Sequence, residues 1–250
     1  MVALPTELKK EPIIDVVFEV RFTSSIPASN ILPGLLMSQL GMGGTEMQFE
    51  RLPVAEMPPH IREADENLRY VPVARITFGQ TIVLIGDRSL AVSALLPYPK
   101  WPTYRQMILS VMNILHQAQF ITEIERHSLK YIDVLEFGDT RDEISTVNLD
   151  LTVGGHRLAD EAFQLRIEIP DRDYLKIIQV VSQAQFHMRT GDVRIGTALD
   201  VDVVLPIRLP ASDYVNKLDS MLDEIHSINK KAFFDLIRND ALHKLEPVYE

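Results

Sequence analysis

Between residues 13 and 22 apolar and polar positions alternate, with Val16, Phe18, Val20 and Phe22 on one side and Asp15, Val17, Glu19 and Arg21 on the other. A period of two predicts a strand with one face in a core and the other towards water. A helix is predicted over about 29–40, with Pro33-Gly34 confined to its first turn, ended by Gly41-Met42-Gly43-Gly44. Residues 54–66 hold two prolines, just after Pro53, and several charges and read as an irregular loop. Strands follow at about 69–78, 80–86 and 89–96, separated by turns at Gly79-Gln80 and Asp87-Arg88. Prolines 97, 99 and 102 then hold the chain extended. Thr103 with Gln106 reads as a capping box for a helix from near Tyr104 to Gln117.

A long strand over 121–137 closes this stretch, with His127, Leu129, Tyr131, Asp133, Leu135 and Phe137 on one face. Further strands are predicted at 147–153, 162–169, 174–187 and 193–205. The chain ends in an amphipathic helix from Ser212 or Asp213 towards Asn239. Connections this short predict mainly antiparallel sheets in an α+β fold, with helices packed on one face.

Two stretches of the chain match at one constant offset. Val83-Leu84-Ile85-Gly86, a strand, prolines and a helix aligns with Val193-Arg194-Ile195-Gly196, a strand, prolines and a second helix. In the helices, Tyr104, Ile108, Val111, Met112 and Leu115 align with Tyr214, Leu218, Met221, Leu222 and Ile225. The match predicts two pseudo-repeated halves, residues 1–138 and 144–250, packed as one unit and divided in the polar run 138–143.

Composition narrows the function classes. At 250 residues, with 46% hydrophobic and 24% charged, the chain can bury a core without staples. It has no cysteine, which removes disulfides, thiolate zinc sites and cysteine nucleophiles. The net charge of −10 and the lack of a Lys/Arg cluster argue against nucleic-acid binding. No apolar run reaches membrane-span length, and the first ten residues lack the apolar stretch of a signal peptide, so no membrane association and a cytoplasmic location are expected.

Pro12-Ile13 leading into Val17-Phe18-Glu19-Val20-Arg21-Phe22, Tyr98-Pro99-Lys100-Trp101 before a helix, and Leu129-Lys130-Tyr131-Ile132-Asp133 in a strand together resemble a sporadically distributed bacterial family of uncharacterised proteins of about this length. The resemblance implies a cytoplasmic protein belonging to an accessory or defence system. It carries no catalytic residues across, and Lys130 stands where the family pattern leads one to expect arginine.

Among candidate chemistries, the seven histidines show no metal-binding spacing and read as surface or partly satisfied residues. The run 41–44 lacks the preceding strand and the lysine of a phosphate loop. Glu161, Glu168, Asp171 and Asp173 are numerous enough for a carboxylate pair, but strand and turn spacing does not place them across a cleft. No serine elbow occurs. No catalytic residue, metal or cofactor is therefore assigned, and no catalytic motif supports an enzyme. The most suggestive polar set is Glu19 and Arg21 on the first strand with Arg126, Lys130 and Asp133 on a later one, as a ligand or partner site, with cross-strand ion pairing as the plainer reading. Trp101 joins them as an aromatic anchor, or else locks its loop onto the helix.

These expectations converge on a non-enzymatic interaction or regulatory protein with a protein partner, and with a homodimer contact through the long C-terminal helix. The alternative is a small-ligand binder or enzyme with a cavity between sheet and helices.

Overall fold

The computed structural model describes residues 4–41, 46–136, 146–159, 161–189 and 191–249. The glycine run at 42–44 and the expected division at 138–143 lie outside them, as does Phe137.

In chain order the elements are β1 (Glu7–Leu8), β2 (Ile13–Ser24), α1 (Leu32–Leu40), β3 (Met47–Arg51), α2 (Pro59–Ala64), β4 (Pro72–Phe78), β5 (Thr81–Gly86) and β6 (Ser89–Ala94). There follow α3 (Trp101–Gln117), β7 (Ile121–Leu135), β8 (Thr152–Val153), β9 (His156–Arg157), β10 (Gln164–Asp171), β11 (Tyr174–His187), β12 (Val193–Pro210), α4 (Ala211–Leu236), α5 (Asn239–Lys244) and β13 (Pro247–Val248). The fold is α+β, with a large antiparallel sheet against which α4 packs, as the periodicities require. Among the described residues no helix is long and apolar enough to cross a membrane.

Nine strands pair in the order β10-β11-β12-β7-β2-β6-β5-β4-β3. Read outwards from the central β7 and β2, the order is β12, β11, β10 one way and β6, β5, β4 the other. Helices α4 and α3 follow directly on β12 and β6, and their first residues, Ala211 and Trp101, keep the spacing that relates Tyr214 to Tyr104. The two helices thus occupy corresponding places in the strand order. One part of the sequence match needs correction: Val83–Gly86 belongs to β5, whose topological counterpart is β11, whereas Val193–Gly196 opens β12.

Two compact units are interleaved along the chain, one from residues 15–129 and 204–225, the other from 1–14, 130–203 and 226–250. In the first, the alternation of β2 buries Val16, Phe18, Val20 and Phe22, each at most 1% exposed. Ile108, Val111, Met112 and Leu115 of α3 supply the facing apolar stripe. Tyr104 and Tyr214 are fully buried, and the Tyr104 hydroxyl donates to the Val92 carbonyl at 2.7 Å, so its polar end is satisfied. In the second unit, Leu135, Val147, Ile178, Val180, Leu199, Phe233 and Ile237 form the core.

Several local expectations shift for identifiable reasons. Residues 54–66 hold a 3-10 turn at Pro53–Glu56 and helix α2, because Pro53 and Pro59 each stand in a first turn, where a missing N–H costs nothing. Helix α3 starts before Thr103, after Lys100, and no side chain caps it. Strand β12 runs on through the exposed Pro206 to Pro210. The expected strand over 147–153 reduces to a Val147–Ile237 bridge and the two-residue β8. Helix α4 ends at Leu236, about 39 Å from its start at 1.5 Å per residue.

Candidate functional site

Odd-numbered residues of β2 face away from its buried side, which places Glu19, Arg21 and Thr23 on the outer face of the sheet. Arg126 of β7 meets them there. The Glu19 carboxylate accepts from Arg21 Nε at 2.7 Å and from Arg126 Nη2 at 3.4 Å, and all three side chains are between 23% and 29% exposed. The Arg21 guanidinium lies 4.3 Å over the centre of the Tyr70 ring. The Tyr70 hydroxyl donates to Glu125 Oε2 at 3.0 Å, and the Thr23 hydroxyl donates to Glu125 Oε1 at 2.6 Å. Burial and the Glu125 carboxylate both raise the Tyr70 phenol above its ordinary pKa, so it stays protonated as a donor.

The result is one connected string, Arg126–Glu19–Arg21–Tyr70–Glu125–Thr23. It borders an open cleft of about 460 Å3 lined by Thr23, Glu123, Glu125, Pro206, Ile207 and Arg208. Two carboxylates and one guanidinium on this rim can receive hydrogen-bond donors and one anionic group.

The remaining sequence-predicted residues lie elsewhere. Lys130 bonds Asp200 Oδ2 at 3.2 Å, and the same oxygen accepts from Gln179 at 3.2 Å, all within the second unit. Asp133 is 3% exposed, on the opposite face of β7 from Lys130 and alongside the buried Leu129, Tyr131 and Leu135. Trp101 donates from its indole nitrogen to Asp223 at 3.2 Å and packs edge-on to Tyr104, with ring centres 6.3 Å apart. Arg105, one turn on, reaches Asp219 at 2.8 Å and Asp223 at 3.0 Å. Trp101, the first residue of α3, is therefore engaged with its own helix and with α4. The carboxylates of the acidic stretch separate into local pairs: Glu161 with His156, Glu168 with Arg166, and Asp171 with Arg172 and Lys176.

His127 is of the partly satisfied kind that the sequence leads one to expect, since its Nε2 meets no hydrogen-bond partner among the described residues. It is 0% exposed, and its Nδ1 lies 2.8 Å from the Tyr214 hydroxyl. Burial, helped by the Arg126 charge, lowers its pKa to about 3. A histidine held neutral in this way is poorly matched to proton transfer near neutral pH.

Asp133 shows the opposite behaviour. Burial, with Glu11 and Asp200 adding to it, raises its carboxyl well above the usual range. The folded chain then keeps a proton that the unfolded chain has already released, so this contribution to stability falls as pH rises past the unfolded value. His127 acts in the reverse sense: its contribution is complete above the unfolded histidine pKa and is lost as pH falls towards 3. Asp133→Asn is expected to raise stability by about 1–3 kcal/mol at pH 8, with the gain shrinking towards pH 4.5. Chemical denaturation of both proteins at the two pH values isolates the effect, since His127 is common to both. An equal gain at both would assign the cost of Asp133 to packing.

Tyr70 and Glu125 belong to the site without any signal in the sequence. Tyr70 stands just ahead of a strand, and Glu125 is one of several acidic residues in β7, so neither carries a spacing that marks it. No family model and no curated protein matches this chain.

Proposed function

We propose that this chain is a non-catalytic interaction protein whose docking surface is the outer face of β2 and β7. The observation that carries the reading is the string from Arg126 to Thr23, whose charges are fixed by neighbours before anything binds. Side chains already ordered lose less freedom on association, and alternating charge selects a partner by complementarity. The adjoining cleft is open and lined mainly by polar side chains, which favours a macromolecular partner over an enclosed apolar ligand. Regulation of a companion gene product in a bacterial accessory or defence system is the role that the resemblance adds.

The test is affinity capture from the native host with the wild-type chain and an Arg21→Glu/Arg126→Glu variant. A reproducible partner that is retained by the wild type and loses at least about tenfold in affinity with the variant is expected, at matched thermal stability. A partner held equally by both, or none at all, would reject the reading.

A second reading has its own observation. In the other unit an open cleft of about 660 Å3 is lined by Lys10, Arg194 and Lys244 with Glu11 and Glu136, a volume suited to a small anionic ligand. A thermal shift on adding small anionic metabolites, abolished by Arg194→Ala, would favour this second reading over the first.

A further inference from the structure

Strand β10 closes one end of the nine-stranded sheet: β11 pairs with one side of it, and among the described residues no strand pairs with the other. Its register against β11 sets Leu165 opposite Val180, Ile167 opposite Ile178 and Ile169 opposite Lys176. Leu165, Ile167 and Ile169 therefore share one face, and Arg166 and Glu168 share the other. Ile167 and Ile169 remain 38% and 37% exposed, although they belong to the face that is buried further along β11. A free edge with exposed β-branched residues is a template for another strand.

The sequence of this edge is self-complementary. We propose that two copies of the chain associate through β10, antiparallel, with Ile167 of each copy on the two-fold axis. In that register Arg166 of each copy faces Glu168 of the other, and Leu165 of each faces Ile169 of the other. Sliding by two residues in one direction brings Arg166 opposite Arg166, and in the other direction Glu168 opposite Glu168. A parallel arrangement opposes like charges at both positions. Like charges directly across a strand pair are destabilising and opposite ones stabilising, so charge alone selects one register. Within one chain Arg166 already reaches Glu168 at 2.6 Å, with both side chains about half exposed, so the four charges can close into a ring across the axis without leaving water. The interface is isologous and closes at two copies. Pro170 supplies no N–H, which keeps the ladder short and makes the dimer dependent on concentration. This contact is distinct from the outer face of β2 and β7 and does not rest on the function proposed for it.

Light scattering after size exclusion, over a micromolar concentration series, is the experiment. The wild type is expected to approach twice the 28.4 kDa chain mass as concentration rises. Arg166→Glu sets a second carboxylate against Glu168 of the other copy and is expected to weaken association at least about tenfold. The exchange Arg166→Glu/Glu168→Arg restores complementarity and is expected to recover the dimer, a rescue that a merely unfolded or altered edge could not give. A wild type that stays monomeric throughout, a dimer indifferent to Arg166→Glu, or a charge exchange that fails to restore it would each overturn the proposal.

Discussion

Arg62→Ala is expected to destabilise the chain by about 3–5 kcal/mol, because it leaves the Asp87 carboxylate buried without its cation. Both residues are 5% exposed. Arg62 Nε donates to Asp87 Oδ2 at 2.8 Å, another guanidinium nitrogen donates to the Met57 carbonyl, and the Ser29 hydroxyl donates to the other Asp87 oxygen. The Asp87 carbonyl also accepts from the Ala28 amide at 2.9 Å. One ion pair thus joins α2, the β5–β6 turn and the turn before α1, segments whose large apolar residues Ile26, Ile31 and Ile61 stay exposed. Asp87→Ala should cost a similar amount, for the mirror-image reason. The double replacement Arg62→Met/Asp87→Leu should recover most of the loss, since an apolar pair of similar volume avoids desolvating either charge. Urea unfolding of the single and double variants gives the coupling directly. Losses that simply add would show that each residue acts through packing alone.

That ion pair marks where the sequence ceases to be legible. The alternation of β2 and the apolar stripes of α3 and α4 are readable because hydrophobic burial repeats at the period of the element. Tyr104 and Tyr214 are readable as equivalents for the same reason, and both are fully buried. Helix α2 offers no stripe: its buried residue is an arginine, and the partner that makes burial tolerable stands 25 positions later. A charge pairing across that distance leaves no periodic trace. The candidate site divides along the same line. Sequence parity puts Glu19 and Arg21 on one face of a strand, and the structure adds Arg126 to them. Membership of two strands is all that groups Lys130 and Asp133 with these residues. Lys130 serves Asp200, while the odd position of Asp133 turns it to the buried side. His127 precedes Asp133 by three full strand periods, so the parity that buries one buries the other. Their shared face is visible in the sequence; the burial of His127 depends on α4, whose Tyr214 meets it. Tyr70 enters the site through its ring and its hydroxyl, from the turn ahead of β4, at the start of the strand expected over 69–78.

Gly196→Ala is the second large effect expected, about 3 kcal/mol of destabilisation or more. A Cβ built on Gly196 would stand 2.8 Å from the Leu135 carbonyl carbon, would overlap its oxygen, and would meet the Glu136 Cα at 3.3 Å. These are backbone atoms at the end of β7, which cannot rotate aside as a side chain can, so relief requires the strands to part. Gly86, its partner in the sequence match, is also crowded, but there the nearest obstacle is the Ser89 hydroxyl. That hydroxyl bonds the Tyr70 carbonyl at 2.7 Å and can turn away, and the Val71 and Tyr70 carbonyl oxygens at 3.1 and 3.3 Å must give only slightly, so Gly86→Ala should cost about 1–2 kcal/mol. Gly34 in α1 supplies the opposite limit. A Cβ there meets nothing within 4 Å, and Gly34→Ala should stabilise by up to about 1 kcal/mol through helix propensity. Thermal or urea unfolding of the three variants is expected to rank them Gly34→Ala, Gly86→Ala, Gly196→Ala from most to least stable. The two glycines that align in sequence would then differ because the hard overlap at 86 is with a movable side chain and that at 196 is with a backbone carbonyl. Equal losses at positions 86 and 196 would refute this distinction and tie both glycines to one structural role.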